Sequence, residues 1–120
     1  METTTIAIGA SAEKSATQLV EDAGYRIIER NFRCKAGELD IIAQRGDMLV
    51  FVEVRSRADD EHGTAAETVD WRKQRQIVRV ASHYLIARSA IEYERIRFDV
   101  IGITGDEVVW FEDAFRPGIP

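Results

Sequence analysis

An α/β domain with a mixed β-sheet is what this sequence predicts, and three observations carry that expectation. Apolar residues recur at helical spacing near the N-terminus and again after residue 71. Between and beyond those stretches, short runs rich in Val, Ile and Phe read as strands. One of them, Met48 to Val54, is apolar on both faces and calls for helices on both sides of the sheet. The resulting order, α-β-β-β-α-β-β, fits a central mixed sheet flanked by helices.

The first helix is expected from about Ala10 to Ala23, where Ala12, Ala16, Leu19, Val20 and Ala23 form one stripe. Ser11 or Gly9 reads as its cap and Gly24 as its left-handed stop. Strands follow at Tyr25–Phe32, Glu38–Gln44 and Met48–Val54, the last two joined through an Arg45-Gly46-Asp47 turn. In the third strand Val50, Val52 and Val54 share one face, and Phe51, Glu53 and Arg55 the other. Arg57 to Thr64, with Asp59-Asp60-Glu61 and Gly63, reads as a polar loop. Helical character returns at Ala65–Val69 and over Trp71–Arg88, with Ile77, Val80, Ala81, Tyr84 and Leu85 as the apolar stripe. Ile96–Ile103 is a fourth strand. After a Thr104-Gly105-Asp106 turn, Val108–Phe111 is a short fifth.

A chain of 120 residues makes one domain, 1–120, with residues 1–8 and 116–120 expected as flexible tails. With 45% apolar and 31% charged residues it is ordinary globular material. The single cysteine, Cys34, excludes an intramolecular disulfide framework and suits a reducing cytoplasm, the expected location. No run approaches the roughly 20 apolar residues of a membrane span, and the polar N-terminus lacks a signal-peptide layout. The net charge of −5 argues against a uniformly basic coat but leaves room for a local basic patch.

The chemistry concentrates in Glu38-Leu39-Asp40 and Glu53-Val54-Arg55 on neighbouring strands. Acids are disfavoured mid-strand, and strands joined by a tight turn lie roughly 4.8 Å apart. Asp40 and Glu53 can therefore converge, and two such carboxylates need a proton or a cation between them. Mg²⁺ or Mn²⁺ answers that need, taking carboxylate oxygens and keeping water and phosphate as its other ligands. The chemistry such a centre supports is phosphodiester hydrolysis. The same acids read equally well as structural ion-pair partners of Arg55, Arg57 or Arg33. Glu13, next to Ala12 on the first helix, either closes the carboxylate cluster or is solvated, and spacing by itself favours solvation.

With these residues in view, the chain resembles a known family. Gly9-x-x-x-Glu13-x-x-Ala16, Gly24-Tyr25-x-Ile27-x-x-x-Asn31-x-Arg33, Gly37-Glu38-Leu39-Asp40-Ile41-Ile42-Ala43 and Phe51-Val52-Glu53-Val54-Arg55-x-Arg57 look like the YraN-like family of small bacterial proteins. Gly63, Ala66-Glu67-x-Val69, Lys73, Ala81-x-x-Tyr84-Leu85, Arg97-Phe98-Asp99-Val100 and Asp113-Ala114-Phe115 extend the likeness over nearly the whole chain. The resemblance implies a restriction-endonuclease-like fold, similar to archaeal Holliday-junction resolvases with their PD-(D/E)xK signature. It implies catalytic roles for Asp40, Glu53, Arg55 and Glu13, with Asp40, Glu53 and Glu13 as metal ligands. Arg55 stands where the family usually has lysine. Arginine stays protonated and cannot serve as a general base; Lys73, on the later helix, is the candidate to replace it.

Nucleic acid, DNA before RNA, is the expected partner. Arg72, Arg75 and Arg79 share one helical face inside Trp71–Ile91, a segment without a single acid. Lys73 lies in the same segment, and Arg33, Lys35 and Arg57 flank the carboxylate strands as a basic rim. A solvated basic face is an equally good reading of the helix. Trp71 and Trp110 are read as core or edge residues before base-stacking ones. His62 and His83 show no ligand spacing, and Cys34 reads as structural. A homodimer fits the superfamily's habit of acting on two-fold related strands. Two rivals to the nuclease stand beside it: a non-catalytic nucleic-acid-binding module, and an interaction protein whose acids form structural salt bridges.

Overall fold

The computed structural model describes residues 5–59, 61 and 63–117. Helix α1 (Thr5–Asp22) leads into strands β1 (Arg26–Cys34), β2 (Gly37–Arg45) and β3 (Met48–Arg57). The short α2 (Ala65–Thr68) and the long α3 (Trp71–Ala87) follow, then β4 (Arg95–Thr104) and β5 (Glu107–Phe115). The five strands form one sheet in the order β1-β2-β3-β4-β5. Only β3 and β4 run parallel; the other neighbours are antiparallel. A parallel pair needs a crossover, and α2 with α3 supplies it.

The alternation of β3 fixes the layers. Val50 and Val52 pack with Ala12, Ala16 and Val20 of α1 on one side. Leu49 and Phe51 pack with Ile77, Val80, Ala81 and Tyr84 of α3 on the other. Each face buries a complete set of apolar side chains, so the central strand is covered on both sides as its composition demands. Phe51 and Phe98 are both core and stack with centroids 5.5 Å apart.

Local signals set the joints. β2 and β3 are closed by a two-residue turn in which Gly46 takes φ +60, and Gly105 does the same between β4 and β5. Thr64 and Glu67 form a reciprocal capping box at the start of α2. The Asp70 carboxylate accepts from the Lys73 N–H at 2.9 Å and starts α3.

Three expectations are corrected. α1 begins at Thr5, not near Ala10. Residues 5–8, expected in a tail, are helical, and neither Gly9 nor Ser11 caps the start. No proline interrupts this stretch, and one internal glycine costs a helix only about 1 kcal/mol. β3 continues to Arg57 because its parallel pairing with β4 runs on to Arg57–Thr104. β5 continues to Phe115 through a bulge at Asp113, φ +53, whose N–H donates to the Asp99 carboxylate at 2.9 Å. A tertiary bond thus carries the strand past acids that end its sequence pattern. Asp60 and His62 lie outside the described residues. Among those described, no helix is long and apolar enough to cross a membrane.

Candidate active site

The site begins with a break in strand alternation. Ile41 packs toward α1 and Leu39 toward α3, although residues two apart normally share a face. The change falls on Asp40. On β1, Asn31 takes φ +55 between the Arg30–Ile41 and Phe32–Leu39 pairs, a conformation asparagine tolerates better than most side chains. β2 and β3 are not paired beyond Ile41–Val52. Asp40 therefore sits where the two strands part, and its Oδ2 accepts from the Val54 N–H at 2.7 Å.

Glu53, only 7% exposed, meets it there. Burial pushes the Asp40 carboxyl up, and the Val54 N–H pulls it back. The charges of Glu53 and Glu13, with a hydrogen bond to Glu53, add to the rise, and the result is about 7 against an ordinary 3.8. Asp40 therefore keeps its proton up to about neutrality.

Two cations answer the pair from the α3 side. Arg55 Nε lies 3.4 Å and Lys73 Nζ 3.6 Å from the same oxygen, Glu53 Oε2. Lys73 thus reaches Glu53 from α3. Glu13 stands across from it on α1, with Oε1 buried, without a hydrogen bond, and 3.6 Å from the Arg30 guanidinium. Among the described residues no group of three or more His, Cys, Asp or Glu side chains could hold a metal ion. Glu13 therefore does not complete a three-carboxylate cage in this arrangement, because it leans toward Arg30. Asp40 Oδ1 and Glu53 Oε1 accept no hydrogen bond from a described N–H donor. The donor set fits a hard divalent ion that takes one or two carboxylates and completes its shell with water and phosphate.

The remaining basic residues divide. Arg33 pairs with Glu38 at 3.2 Å, Lys35 is exposed in the β1–β2 turn, and Arg57 donates to the Gly63 carbonyl, bracing the loop before α2. Arg72, Arg75 and Arg79 are exposed on α3, with no acidic partner among the described residues. Arg88 is paired with Glu29 at 3.1 Å. Trp110 is an edge residue, donating to the Asp99 carboxylate at 2.8 Å and packed edge-on against Tyr25. Trp71 is not: 59% of it is exposed. Cys34 is a half-buried free thiol packed against the α3-side core.

Sequence reasoning did not anticipate Arg30, whose only signal is a position on β1, or the buried centre around Asp99. There Asp99, 1% exposed, accepts from Arg97, Trp110 and the Asp113 N–H, while Arg97 also donates to the Tyr25 hydroxyl. Burial alone would lower the Arg97 guanidinium's pKa, but its bonds to Asp99 and Tyr25 outweigh that and raise it. Every oxygen of Asp99 is occupied, so this centre fastens β5 and Tyr25 to β4 and leaves nothing for a ligand.

Sheet and site together define an α/β protein whose acidic pair, with lysine and arginine against it, lies where β2 and β3 of a mixed sheet separate. Residues 12–103 match the family described as "Uncharacterised protein family UPF0102", and the chain belongs to that family, the YraN-like proteins. It is 44% identical over 110 residues to a UPF0102 protein of Xanthomonas oryzae pv. oryzae (strain PXO99A), spanning 90% of each chain. It is 45% identical over 109 residues to one of Herminiimonas arsenicoxydans, spanning 91% of this chain and 86% of the relative. With one of Alkaliphilus metalliredigens the identity is 45% over 93 residues, spanning 78% and 81%.

Proposed function

We propose that this protein is a metal-dependent phosphodiesterase of restriction-endonuclease-like fold that cuts structured or branched nucleic acid, DNA before RNA. The observation that supports it best is the convergence of Asp40 and Glu53 in a buried setting, where burial first and the neighbouring acids second lift the Asp40 carboxyl to about 7. Such a pair costs stability, and carboxyls perturbed in this way cluster at functional sites. Its resemblance to the resolvase arrangement adds weight.

Asp40 and Glu53 would hold the ion. Mg²⁺ or Mn²⁺ bound there supplies charge neutralisation at the scissile phosphate and a more acidic attacking water. Lys73, 3.6 Å from Glu53, would orient an attacking water from the α3 side. Arg55 remains protonated and meets the charge that builds on the phosphoryl oxygens. Glu13 contributes negative potential from α1 and accepts from outer waters. Asp40 would have to give up its proton to hold the ion, so the affinity for Mn²⁺ would rise as pH rises through about 7.

The test is cleavage of junction and flap DNA with Mn²⁺. Asp40→Asn is expected to lower the rate at least about 100-fold while DNA binding persists. Equal cleavage by the variant would place the chemistry elsewhere. Arg55 in the lysine position favours a second reading, a binding module on a nuclease scaffold. That module binds the same DNA and never cuts it, and Arg55→Lys then gains no activity. In the nuclease the same change raises the rate.

A further inference from the structure

Among the described residues Trp71 is the most exposed aromatic side chain, and neither the core nor the acidic site explains its placement. It is the first residue of α3, follows the Asp70 cap and keeps 59% of its surface exposed. An exposed tryptophan is costly, because its indole is the largest apolar side chain a protein can offer to water. Two guanidiniums attend it: Arg72 Cζ lies 5.4 Å and Arg75 Cζ 5.7 Å from the ring centroid. Those distances are cation–π attraction, and they steady the ring while leaving most of it open.

Arg75 and Arg79 follow at one and two helical turns, so the ring heads a basic stripe about 12 Å long. Lys73, on the other side of the same turn of α3, reaches Glu53. A strand crossing the outer surface of α3 therefore meets a π-face and then successive cations that have no acidic partner among the described residues. Single-stranded nucleic acid offers the complement: unstacked bases for the ring and phosphates for the arginines. A duplex offers the phosphates only, because its bases stack on one another.

We propose that the outer face of α3 binds a single-stranded nucleic-acid segment, one base stacking on Trp71 and the phosphates beside it lying on Arg72, Arg75 and Arg79. The assignment rests on the nucleic-acid reading of the site and narrows it to substrates with an unpaired arm, such as a flap or a frayed junction.

Binding is measured in EDTA, where no cleavage intervenes, with an oligothymidylate of about 16 nucleotides and a blunt duplex of equal length. The single strand quenches Trp71 fluorescence, and Trp71→Ala lowers its affinity about 5- to 100-fold while duplex affinity changes less than about twofold. Trp71→Phe restores most of the loss, which a merely structural role would not predict. Equal losses for strand and duplex, or no loss at all, overturn the proposal. So does binding of neither nucleic acid by the wild-type protein, or quenching by polyglutamate in place of the oligonucleotide, which would assign the face to an acidic polypeptide. Cleavage with Mn²⁺ is scored separately on a flap substrate. Cutting without a Trp71 effect refutes the stacking face alone, and stacking without cutting refutes the phosphodiesterase alone.

Discussion

At the scale of single residues, Asp40 dominates. Its carboxyl has a folded value of about 7 and an unfolded one near 3.8, so both states hold the proton below about pH 4. As pH rises from there to about 7, the unfolded chain gives up the proton while the folded protein keeps it. Folding therefore loses stability across that window, and the loss is complete above it. Asp40→Asn removes the penalty and keeps an oxygen for the Val54 N–H. The variant is expected to gain on the order of 4 kcal/mol at pH 8 and less than half of that at pH 5, read as urea midpoints at the two values. The carboxyls of Asp47, Glu67 and Asp113 are held below their ordinary values, so their contribution falls at lower pH and does not mask the window. A midpoint difference that is the same at pH 5 and pH 8 would mean that Asp40 ionises normally.

At the scale of elements, the site depends on how closely the crossover seats on the sheet. A side chain at Gly102 would run into the Ala65 methyl, so the absent Cβ is what lets α2 lie against β4. Gly102 is paired with Arg55 across the parallel ladder, and α2 leads within a few residues to α3 and Lys73. Gly102→Ala is expected to cost about 1–3 kcal/mol by overpacking. It also moves Lys73 relative to Glu53, so urea unfolding and Mn²⁺-dependent cleavage should fall together. An unchanged midpoint would show that α2 can shift freely. Elements were legible wherever the pattern is local: the β2–β3 turn, the Gly24 stop at φ +91 and the stripe of α3 all follow from neighbours in sequence. The ends of α1, β3 and β5 were not, because pairing across the sheet and the Asp99 bond decide where two of them stop.

At the scale of the whole molecule, charge is sorted rather than balanced. The chain carries −5 overall, yet Trp71–Ile91 has five basic residues and no acid. Arg88 is taken by Glu29 and Lys73 by Glu53, which leaves Arg72, Arg75 and Arg79 facing solvent. Replacing those three by Gln is expected to reduce the slope of log affinity against log salt by about 2–3 for DNA, with the fold unchanged by circular dichroism. A slope that does not move would make α3 a solvated face and nothing more.

The sequence by itself determined the order of elements, the two-faced burial of the central strand and the two acids that belong together, because period, turn chemistry and misplaced charge are local properties. Only the tertiary structure decided that Asp40 stands at a change of strand face, that Lys73 joins Arg55 at Glu53, and that Trp71 stays in solvent. Those facts depend on how far a crossover returns across the sheet. No spacing along the chain encodes the distance between a helix and a strand that packing alone brings together.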